Sequence, residues 1–282
     1  MSAISPELQE KEARLQEALR GSGKLLVAFS GGVDSSYLVW AAHRSLGDAV
    51  LAVTADSPSY PRSHRSMAER FVADFGIPHR FVSTFEMDRE HYLANESDRC
   101  YHCKSELFDV LGELRQELGF QAVAYGVNTD DTGDYRPGHK AADERQVLSP
   151  LLEAGLSKHE IRALSRAAGL PTAELPASAC LASRLPYGTP VTAERLRQVD
   201  EGEERMRELG FRQVRVRHHG ALARVEVAPE ELPRALDPAM ASRIAAALKP
   251  LGFRWVSLDL EGYRTGSLNE VLPLAKSTQS FS

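Results

Sequence analysis

Two of the chain's three cysteines, Cys100 and Cys103, stand three positions apart in the segment SDRCYHCKSE (97–106). The third, Cys180, lies far along the chain. Thiolates bind soft metals and attack activated acyl groups, so the pair fits a metal clip, a redox couple or part of a reaction centre. An odd number of cysteines, with an N-terminal segment unlike a secretion signal, predicts a reducing cytoplasm and no membrane anchor.

A second chemical motif, SGGVDSS (30–36), follows the apolar run LLVAF (25–29). Its glycines let backbone amides approach an anion, and the helix that follows directs its positive end at the same place. Its serines can donate hydroxyl hydrogen bonds, and its aspartate can hold Mg²⁺ against phosphates. The loop lacks the lysine of GxxxxGK[ST], and a simple strand-to-helix turn is the plainer alternative. The predicted phosphate-binding residues are Ser30, Gly31, Gly32, Asp34, Ser35 and Ser36.

The elements that must position these residues alternate between strands and helices. Apolar runs predict strands at 24–29, 49–56, 79–85 and 121–128, with amphipathic helices between them. This alternation predicts an α/β fold, in which a parallel sheet carries helices on both faces. Ligands of such sheets bind at the carboxyl ends of the strands, where SGGVDSS begins. The same edge receives Asp130, Asp131, Asp134 and Arg136, which either form a polar turn or shape a nucleotide site.

Beyond residue 170 the pattern changes to a proline-rich stretch, a helix at 192–211, a hairpin, and a further helix and strand. This order predicts a smaller α+β domain. The predicted division is an ATP-binding domain at 1–176, a connector at 177–191 that carries Cys180, and a substrate-binding domain at 192–282.

The segment RQVRVRHHGALARVEV (212–227) predicts the hairpin. A two-residue turn at His219–Gly220 would place Arg215 opposite Arg224. A row of guanidinium groups either forms a solvated surface or clamps a phosphate. Because side chains alternate along strands, one face would carry Arg215, Arg217, Arg224 and Glu226, and the inward face Val214, Val216, Val225 and Val227.

The motif SGGVDS resembles the signature of the PP-loop ATP pyrophosphatases, which cleave ATP between the α and β phosphates and leave an adenylated substrate. Three further stretches follow it: GVNTDDTGDYRPG (126–138), ASACLASRLPYGTPVT (177–192), and VRVRHHGALARVEV with LDLEGYRTGSLN. In this order they make essentially the whole chain similar to the LarE family. The resemblance implies that a carboxylate of pyridinium-3,5-biscarboxylic acid mononucleotide is adenylated and converted to a thiocarboxylate. The product leads to the nickel-pincer nucleotide cofactor of lactate racemase.

The resemblance also implies cofactors, partners and site residues. It implies ATP and Mg²⁺, a small nucleotide substrate, sulfide or a sulfur-donor protein, and a homo-oligomer, a hexamer in the family. Further ATP contacts would be Asp56, Gly126 and Asp131. The substrate would be bound by Arg184, Arg215, Arg217, Arg264, Glu203 and Glu226, and Arg184 would also lower the pKa of Cys180.

The cysteines depart from the familiar form of the family, in which a single cysteine at the position of Cys180 gives up its own sulfur. With Cys100 and Cys103, Cys180 would form a three-thiolate site. A pattern seen in related PP-loop tRNA thiolases suggests a 4Fe-4S cluster whose fourth iron takes sulfide, so that the enzyme turns over repeatedly. Zinc held with His102 or water, a redox pair that recharges Cys180, and unrelated buried cysteines stay open.

Rival functions make different demands on the sequence. A tRNA thiolase needs a basic surface for RNA phosphates, which a formal net charge of -5 disfavours. An amidating synthetase, such as a GMP or NAD synthetase, needs an ammonia source and no cysteine triad. A regulator that only binds the nucleotide would release no pyrophosphate.

Overall fold

The computed structural model describes residues 4–133, 137–176 and 179–264. The chain divides into two compact units, Met1–Cys180 and Leu181–Ser282. The first unit holds a parallel sheet and the second a smaller mixed sheet. This confirms the predicted α/β class with a smaller C-terminal α+β part.

The sheet of the first unit has the strand order β3-β2-β1-β4 with all pairings parallel. Each strand is followed by a helical connection, which is the arrangement that parallel pairing requires. The central strand β1 is buried along its whole length and delivers the SGGVDSS loop to the carboxyl edge. The strands are β1 Leu25–Ala28, β2 Val50–Asp56, β3 His79–Ser83 and β4 Ala122–Tyr125.

Helices cover both faces of this sheet, as predicted. Leu25 and Val27 pack into one hydrophobic cluster, whereas Leu26 and Ala28 pack into another on the opposite face. The helices are α1 Pro6–Gly21, α2 Val33–Leu46, α3 Arg62–Asp74, α4 Glu90–Leu93, α5 Arg99–Leu118, α6 Pro137–Glu144, α7 Pro150–Glu153 and α8 Lys158–Ala167. Helix α5 begins six residues before the helical pattern at 105–120, so Cys100 and Cys103 lie in its first turns.

The second unit packs helices against a three-stranded sheet of order β5-β6-β7. Strands β5 and β6 form the predicted antiparallel hairpin, and β7 pairs parallel with β6. The elements are α9 Ala193–Glu208, β5 Val214–His219, β6 Leu222–Val227, α10 Leu232–Leu236, α11 Pro238–Leu248 and β7 Trp255–Leu258. None of the helices in the described ranges is long and apolar enough to cross a membrane.

The hairpin confirms the predicted faces but not the predicted register. Arg215 pairs with Glu226 rather than with Arg224, because the turn residues are Gly220 and Ala221. Gly220 adopts a φ of 64°, which suits glycine at the first central position of a type II′ turn. Moving the turn by one residue moves every pairing by two, so the faces stay the same. The four valines of the inward face are buried in the core of the unit.

Candidate active site

The SGGVDSS loop is held in shape by its own polar groups. Gly31 has a φ of 75°, a conformation open to glycine, and Gly32 is the N-cap of α2. The Ser35 hydroxyl donates to the carbonyl of Gly32 at 3.1 Å and accepts from the amide of Ser30 at 3.2 Å. These bonds fix the strand-to-helix turn and point the N-terminus of α2 towards the sheet edge, as an anion site requires.

Two buried oxygen atoms of this loop are left over. Within the described part of the chain, Oδ1 of Asp34 and Oγ of Ser36 have no hydrogen-bond partner. Buried polar atoms are normally satisfied, so such atoms mark a place where a ligand completes the bonding. A carboxylate oxygen suits Mg²⁺ and a hydroxyl suits a phosphate oxygen, so the residues present fit a Mg²⁺–nucleotide.

The cation of this site is Lys158, which the sequence analysis missed. Its ammonium group donates to Oδ2 of Asp34, and its backbone amide donates to Oδ2 of Asp130 at 2.9 Å. Lys158 is the first residue of α8, whose start is fixed by a capping box between Ser157 and Glu160. The Ser-x-x-Glu pattern that holds the lysine was visible in the sequence, but its spatial partner was not.

The protonation of Asp34 depends on these neighbours. Burial raises the pKa of its carboxyl, Lys158 lowers it, and the charge of Asp131 raises it again, with a net result above the usual value. Asp131 therefore lies within electrostatic reach of Asp34. Its Oδ2 also accepts a hydrogen bond from the amide of Asn128 at 3.1 Å.

The other predicted ATP contacts lie at the same edge of the sheet. A Cβ atom at Gly126 would come within 2.8 Å of the Ser35 amide nitrogen, so the end of β4 packs directly against the loop. Asp56, the last residue of β2, forms an exposed ion pair with Arg65 at 2.5 Å. Asp134 and Arg136 lie outside the described residues.

Cys103 lies within electrostatic reach of both Cys100 and Cys180 in the first unit. Burial raises the pKa of the Cys103 thiol, and the ionised forms of Cys180 and Cys100 raise it further. Cys100 is exposed, whereas Cys103 and Cys180 are half-buried. In the described ranges no group of three or more histidine, cysteine, aspartate or glutamate side chains is arranged to hold a metal ion. The donor set is therefore right for a thiolate-bound metal, but the side chains are not in ligand positions.

Glu86 and Tyr92 lie within electrostatic reach of these thiols, and His102 stands between Cys100 and Cys103 in the sequence. His102 contacts Oδ2 of Asp98 through its Nε2 at 3.1 Å and stacks on His91. The buried carboxylate of Glu86 accepts from the Ser59 hydroxyl at 2.9 Å and raises the pKa of Cys103. Tyr92 is fully buried, and the pKa of its phenol is raised by burial and by the charges of Cys180 and Cys103.

The predicted substrate residues of the second unit form a buried network. Arg184 and Glu203 are each 1% exposed and form a bidentate pair at 2.7 and 3.1 Å. Arg217 forms a second bidentate pair with Glu226, at 2.9 and 2.8 Å. Gly202 allows α9 to approach β5, since a Cβ there would meet Val216 at 3.3 Å, and this brings Glu203 to the amide of Val216.

Arg215 lies within electrostatic reach of residues from both pairs, Arg184 and Glu203 of the first and Arg217 of the second. Burial lowers the pKa of its guanidinium, the charge of Arg184 lowers it further, and Glu203 opposes both. The Tyr263 ring lies 5.0 Å from its guanidinium carbon. Among the described residues the ion pairs and electrostatic contacts of this network join five guanidinium groups and four carboxylates: Arg184, Arg207, Arg215, Arg217 and Arg224 with Glu203, Glu204, Glu226 and Asp259. Guanidinium forks bind phosphate oxygens in bidentate geometry, so this arginine network fits a phosphate.

Arg264 is more peripheral than the other predicted substrate residues. Its guanidinium is 42% exposed and pairs with Glu261 at 2.7 Å. The preceding residue, Tyr263, donates its amide to the carbonyl of Val227 at 2.8 Å, which runs this segment beside β6. The hairpin therefore keeps the segment close to Arg215, while the Arg264 side chain reaches towards solvent.

Comparisons with known proteins agree with this geometry. The profile of the asparagine synthase family matches residues 12–106, the part that carries the loop and the Cys100–Cys103 segment. An uncharacterised protein of Synechocystis sp. is 43% identical over 94% of this chain and 99% of its own length. The pyridinium-3,5-bisthiocarboxylic acid mononucleotide synthase of Lactiplantibacillus plantarum is 35% identical over 95% of this chain and 97% of its own length. One subunit of the glutamine-hydrolysing GMP synthase of Methanocella arvoryzae is 27% identical over 54% of this chain and 52% of its own length.

Proposed function

We propose that this chain, which belongs to the LarE family of PP-loop ATP-dependent sulfurtransferases, converts carboxylates of pyridinium-3,5-biscarboxylic acid mononucleotide to thiocarboxylates. The reaction would have two halves, adenylation of the carboxylate and replacement of AMP by sulfur. The observation that carries the proposal is that Cys103 and Cys180 lie within electrostatic reach of each other in the same unit as the phosphate loop.

In the first half the residues of the loop bind ATP. The amides at the start of α2 and the Ser36 hydroxyl would bind phosphate oxygens, and Asp34, whose Oδ1 has no protein partner in the described residues, would hold Mg²⁺, which would neutralise phosphate charge. Lys158 exchanges its bond to Asp34 for one to the phosphates, which neutralises charge that develops on the pyrophosphate leaving group. The carboxylate of the substrate then attacks the α-phosphate, and the acyl adenylate and pyrophosphate result.

The substrate is held through its own phosphate. The guanidinium groups around Arg215 would bind the phosphate oxygens, and Glu203 and Glu226 fix the orientation of the guanidinium forks. Burial of these groups excludes water, which strengthens each charge-assisted hydrogen bond. The net charge of -5 and the small extent of this arginine network support a small nucleotide rather than tRNA as the substrate.

In the second half the cysteines deliver sulfur. Cys100, Cys103 and Cys180 would hold a 4Fe-4S cluster, since Cys103 lies within electrostatic reach of the other two thiols and thiolates are its preferred ligands. When bound, such a cluster supplies a coordination position for sulfide from outside the protein. This chain's side chains would have to move into ligand positions on loading, because they are not arranged around a metal in the described ranges. The competing proposal is the sacrificial route, in which Cys180 alone donates its own sulfur.

A turnover assay tests the proposal. The protein, reconstituted anaerobically with iron and sulfide, is mixed with ATP, Mg²⁺, the pyridinium biscarboxylate nucleotide and excess sulfide. We expect pyrophosphate release and several thiocarboxylate products per chain by mass spectrometry, and no pyrophosphate from Asp34→Asn. Failure to release pyrophosphate with this nucleotide would refute the substrate assignment. One product per chain, with loss of H₂S from Cys180, would support the sacrificial route.

A further inference from the structure

Tyr60 contacts the phosphate loop from the segment that follows β2. Its hydroxyl donates a hydrogen bond to the carbonyl of Ser30 at 3.1 Å, and this carbonyl directly precedes Gly31. Tyr60 is itself held in place, because its amide donates to the carbonyl of Ser57 at 3.0 Å and its ring packs edge-on against His64. Burial raises the pKa of the phenol, so the hydroxyl keeps its proton and remains a donor.

The peptide bond between Ser30 and Gly31 needs such a contact to take one orientation. Glycine permits positive and negative φ almost equally, so the chain itself only weakly restricts the rotation of this peptide plane. The bond is trans, and the carbonyl and the amide of a trans peptide point in opposite directions. A partner that fixes the Ser30 carbonyl therefore also fixes the direction of the Gly31 amide.

Tyr60 and α3 occupy one side of the loop. A Cβ atom at Gly31 would lie 3.6 Å from the Tyr60 hydroxyl oxygen, 3.6 Å from the Cβ of Ala68 and 3.7 Å from the carbonyl oxygen of His64. The Gly31 amide points away from the Tyr60 hydroxyl, and none of the hydrogen bonds in the described ranges uses it, although the residue is buried. Buried amides are normally paired, so this one is left for a ligand.

We propose that Tyr60 is a positioning residue of the phosphate loop: its hydroxyl holds the Ser30 carbonyl and thereby directs the Gly31 amide at a phosphate oxygen of bound ATP. The proposal deepens the proposed function and rests on its first half, in which the loop binds ATP. An amide that is fixed before the nucleotide arrives removes part of the entropy cost of ordering the loop on binding. The hydroxyl therefore strengthens ATP binding without contacting the phosphates itself.

The test observes the Gly31 amide directly by NMR. The sequence holds two Ser–Gly pairs, Ser22–Gly23 and Ser30–Gly31. When the full chain is made by cell-free synthesis with ¹³C at the serine carbonyl and ¹⁵N in glycine, only Gly23 and Gly31 give carbonyl-coupled amide signals. We expect the Gly31 signal to shift on addition of Mg²⁺–ATP. The Gly23 signal should stay in place, because Gly23 precedes β1 at the opposite end of the strand from the loop.

Tyr60→Phe should weaken Mg²⁺–ATP binding, titrated through the Gly31 signal, by about threefold to tenfold, the value of one ordinary hydrogen bond. In the nucleotide-free protein the same variant should move or broaden the Gly31 signal and leave the Gly23 signal unchanged. This second readout reports the orientation of the peptide, which a general loss of stability would not alter at Gly31 alone.

Tyr37→Phe is the matched control. The Tyr37 hydroxyl also donates a hydrogen bond within the protein, to Glu12 at 3.3 Å, but that bond joins α2 to α1 and does not involve the loop. This variant should therefore bind Mg²⁺–ATP with unchanged affinity and leave the Gly31 signal in place.

Three results would overturn the proposal: a Gly31 signal that does not move when the wild-type protein is saturated with Mg²⁺–ATP, unchanged ATP affinity in Tyr60→Phe, or an equal loss of affinity in Tyr37→Phe. None of these measurements uses the pyridinium nucleotide, sulfide or iron, so they are independent of the turnover assay. Weakened ATP binding in Tyr60→Phe, together with failure of the turnover assay, would support Tyr60 and reject the proposed function. Turnover by the wild-type protein with unchanged ATP affinity in Tyr60→Phe would do the opposite.

Discussion

The ammonium group of Lys158 and Oδ2 of Asp34 are hydrogen-bonded, although the two residues stand 124 positions apart in the chain. The phosphate loop carries no lysine of its own, and α8 supplies the cation from its first residue. Oδ1 of Asp34 has no partner in the described residues, so in the proposed ATP site this oxygen is left for Mg²⁺ while Lys158 neutralises the carboxylate through Oδ2. Removal of the lysine should therefore affect both catalysis and metal binding.

Lys158→Met should lower the rate of pyrophosphate release by about 10²- to 10³-fold, the usual cost of removing one preorganised group that stabilises developing charge. The measurement is a coupled pyrophosphate assay with saturating ATP and the pyridinium biscarboxylate nucleotide. Lys24→Met is the matched control, since Lys24 is exposed and precedes β1 at the opposite end of the strand from the loop. Equal rates of pyrophosphate release in Lys158→Met and Lys24→Met would show that Lys158 does not belong to the ATP site.

The same substitution should move the pH dependence of Mg²⁺ binding. Burial holds the pKa of Asp34 above its usual value, and Lys158 holds it down. Mg²⁺ needs the carboxylate, so without Lys158 the pKa rises further and Mg²⁺ affinity is lost at a higher pH on acidification. Titration of Mg²⁺–ATP binding by calorimetry between about pH 5 and 8 should show this shift of the acid limb. A limb that stays in place or moves to lower pH would contradict the electrostatic role of Lys158.

Arg215→Met should weaken binding of the pyridinium nucleotide by about 10- to 100-fold, the value of one charge-assisted hydrogen bond to phosphate. ATP affinity should stay unchanged, because the loop residues belong to the first unit and Arg215 to the second. Arg212→Met is the control, since Arg212 is exposed and precedes the same strand. Loss of ATP binding in Arg215→Met would show that the assignment of the two units is wrong.

Glu203→Gln should destabilise the protein by about 3–5 kcal/mol, because it leaves the buried Arg184 guanidinium without its charge partner. Glu204→Gln, at an exposed neighbouring position, should change the free energy of unfolding by less than about 0.5 kcal/mol. Urea unfolding at neutral pH measures both.

The pH dependence of the free energy of unfolding gives a second test of Glu203. Burial alone raises the pKa of Glu203, but the Arg184, Arg215 and Arg207 guanidinium groups outweigh it and leave the pKa below the ordinary value of 4.5. Because the pKa of Glu203 in the folded state lies below 4.5, its ionised carboxylate stabilises the fold above pH 4.5. This stabilisation is lost as the pH falls through the folded-state pKa. The wild-type protein should therefore lose this contribution below pH 4.5, whereas Glu203→Gln should lack it at every pH. An identical acid dependence in both proteins would contradict the depressed pKa.

The features that could be predicted from the sequence are those fixed by neighbouring residues. The SGGVDSS loop follows directly from a buried strand, and the two faces of the hairpin follow from alternation, so both predictions hold. The hairpin register was wrong because it depends on which residue takes the positive φ, and Gly220 takes it at the first turn position rather than the second.

The features that could not be predicted depend on contacts between distant segments. Nothing local to Lys158 shows that its ammonium group reaches Asp34, and nothing in EHYL shows that Tyr92 is fully buried. The paired state of the arginines was also missed. The sequence suggested a row of guanidinium groups, but Glu203 and Glu226 each bind one in a bidentate pair, and α9 supplies Glu203 from outside the hairpin.

Serine variants of the cysteines distinguish cluster chemistry from sacrificial chemistry. After anaerobic reconstitution we expect about four iron atoms per chain in the wild-type protein and a large loss of iron in each of Cys100→Ser, Cys103→Ser and Cys180→Ser. All three variants should then fail to turn over repeatedly with added sulfide. The sacrificial route predicts a different result: only Cys180→Ser would lose product, and the other two variants would form one thiocarboxylate per chain without iron.

His102→Ala is the control for zinc, because it should leave iron content unchanged if His102 only contacts Asp98. Zinc in place of iron in the purified protein, lost in His102→Ala, would reject the cluster and assign the thiols to a zinc site.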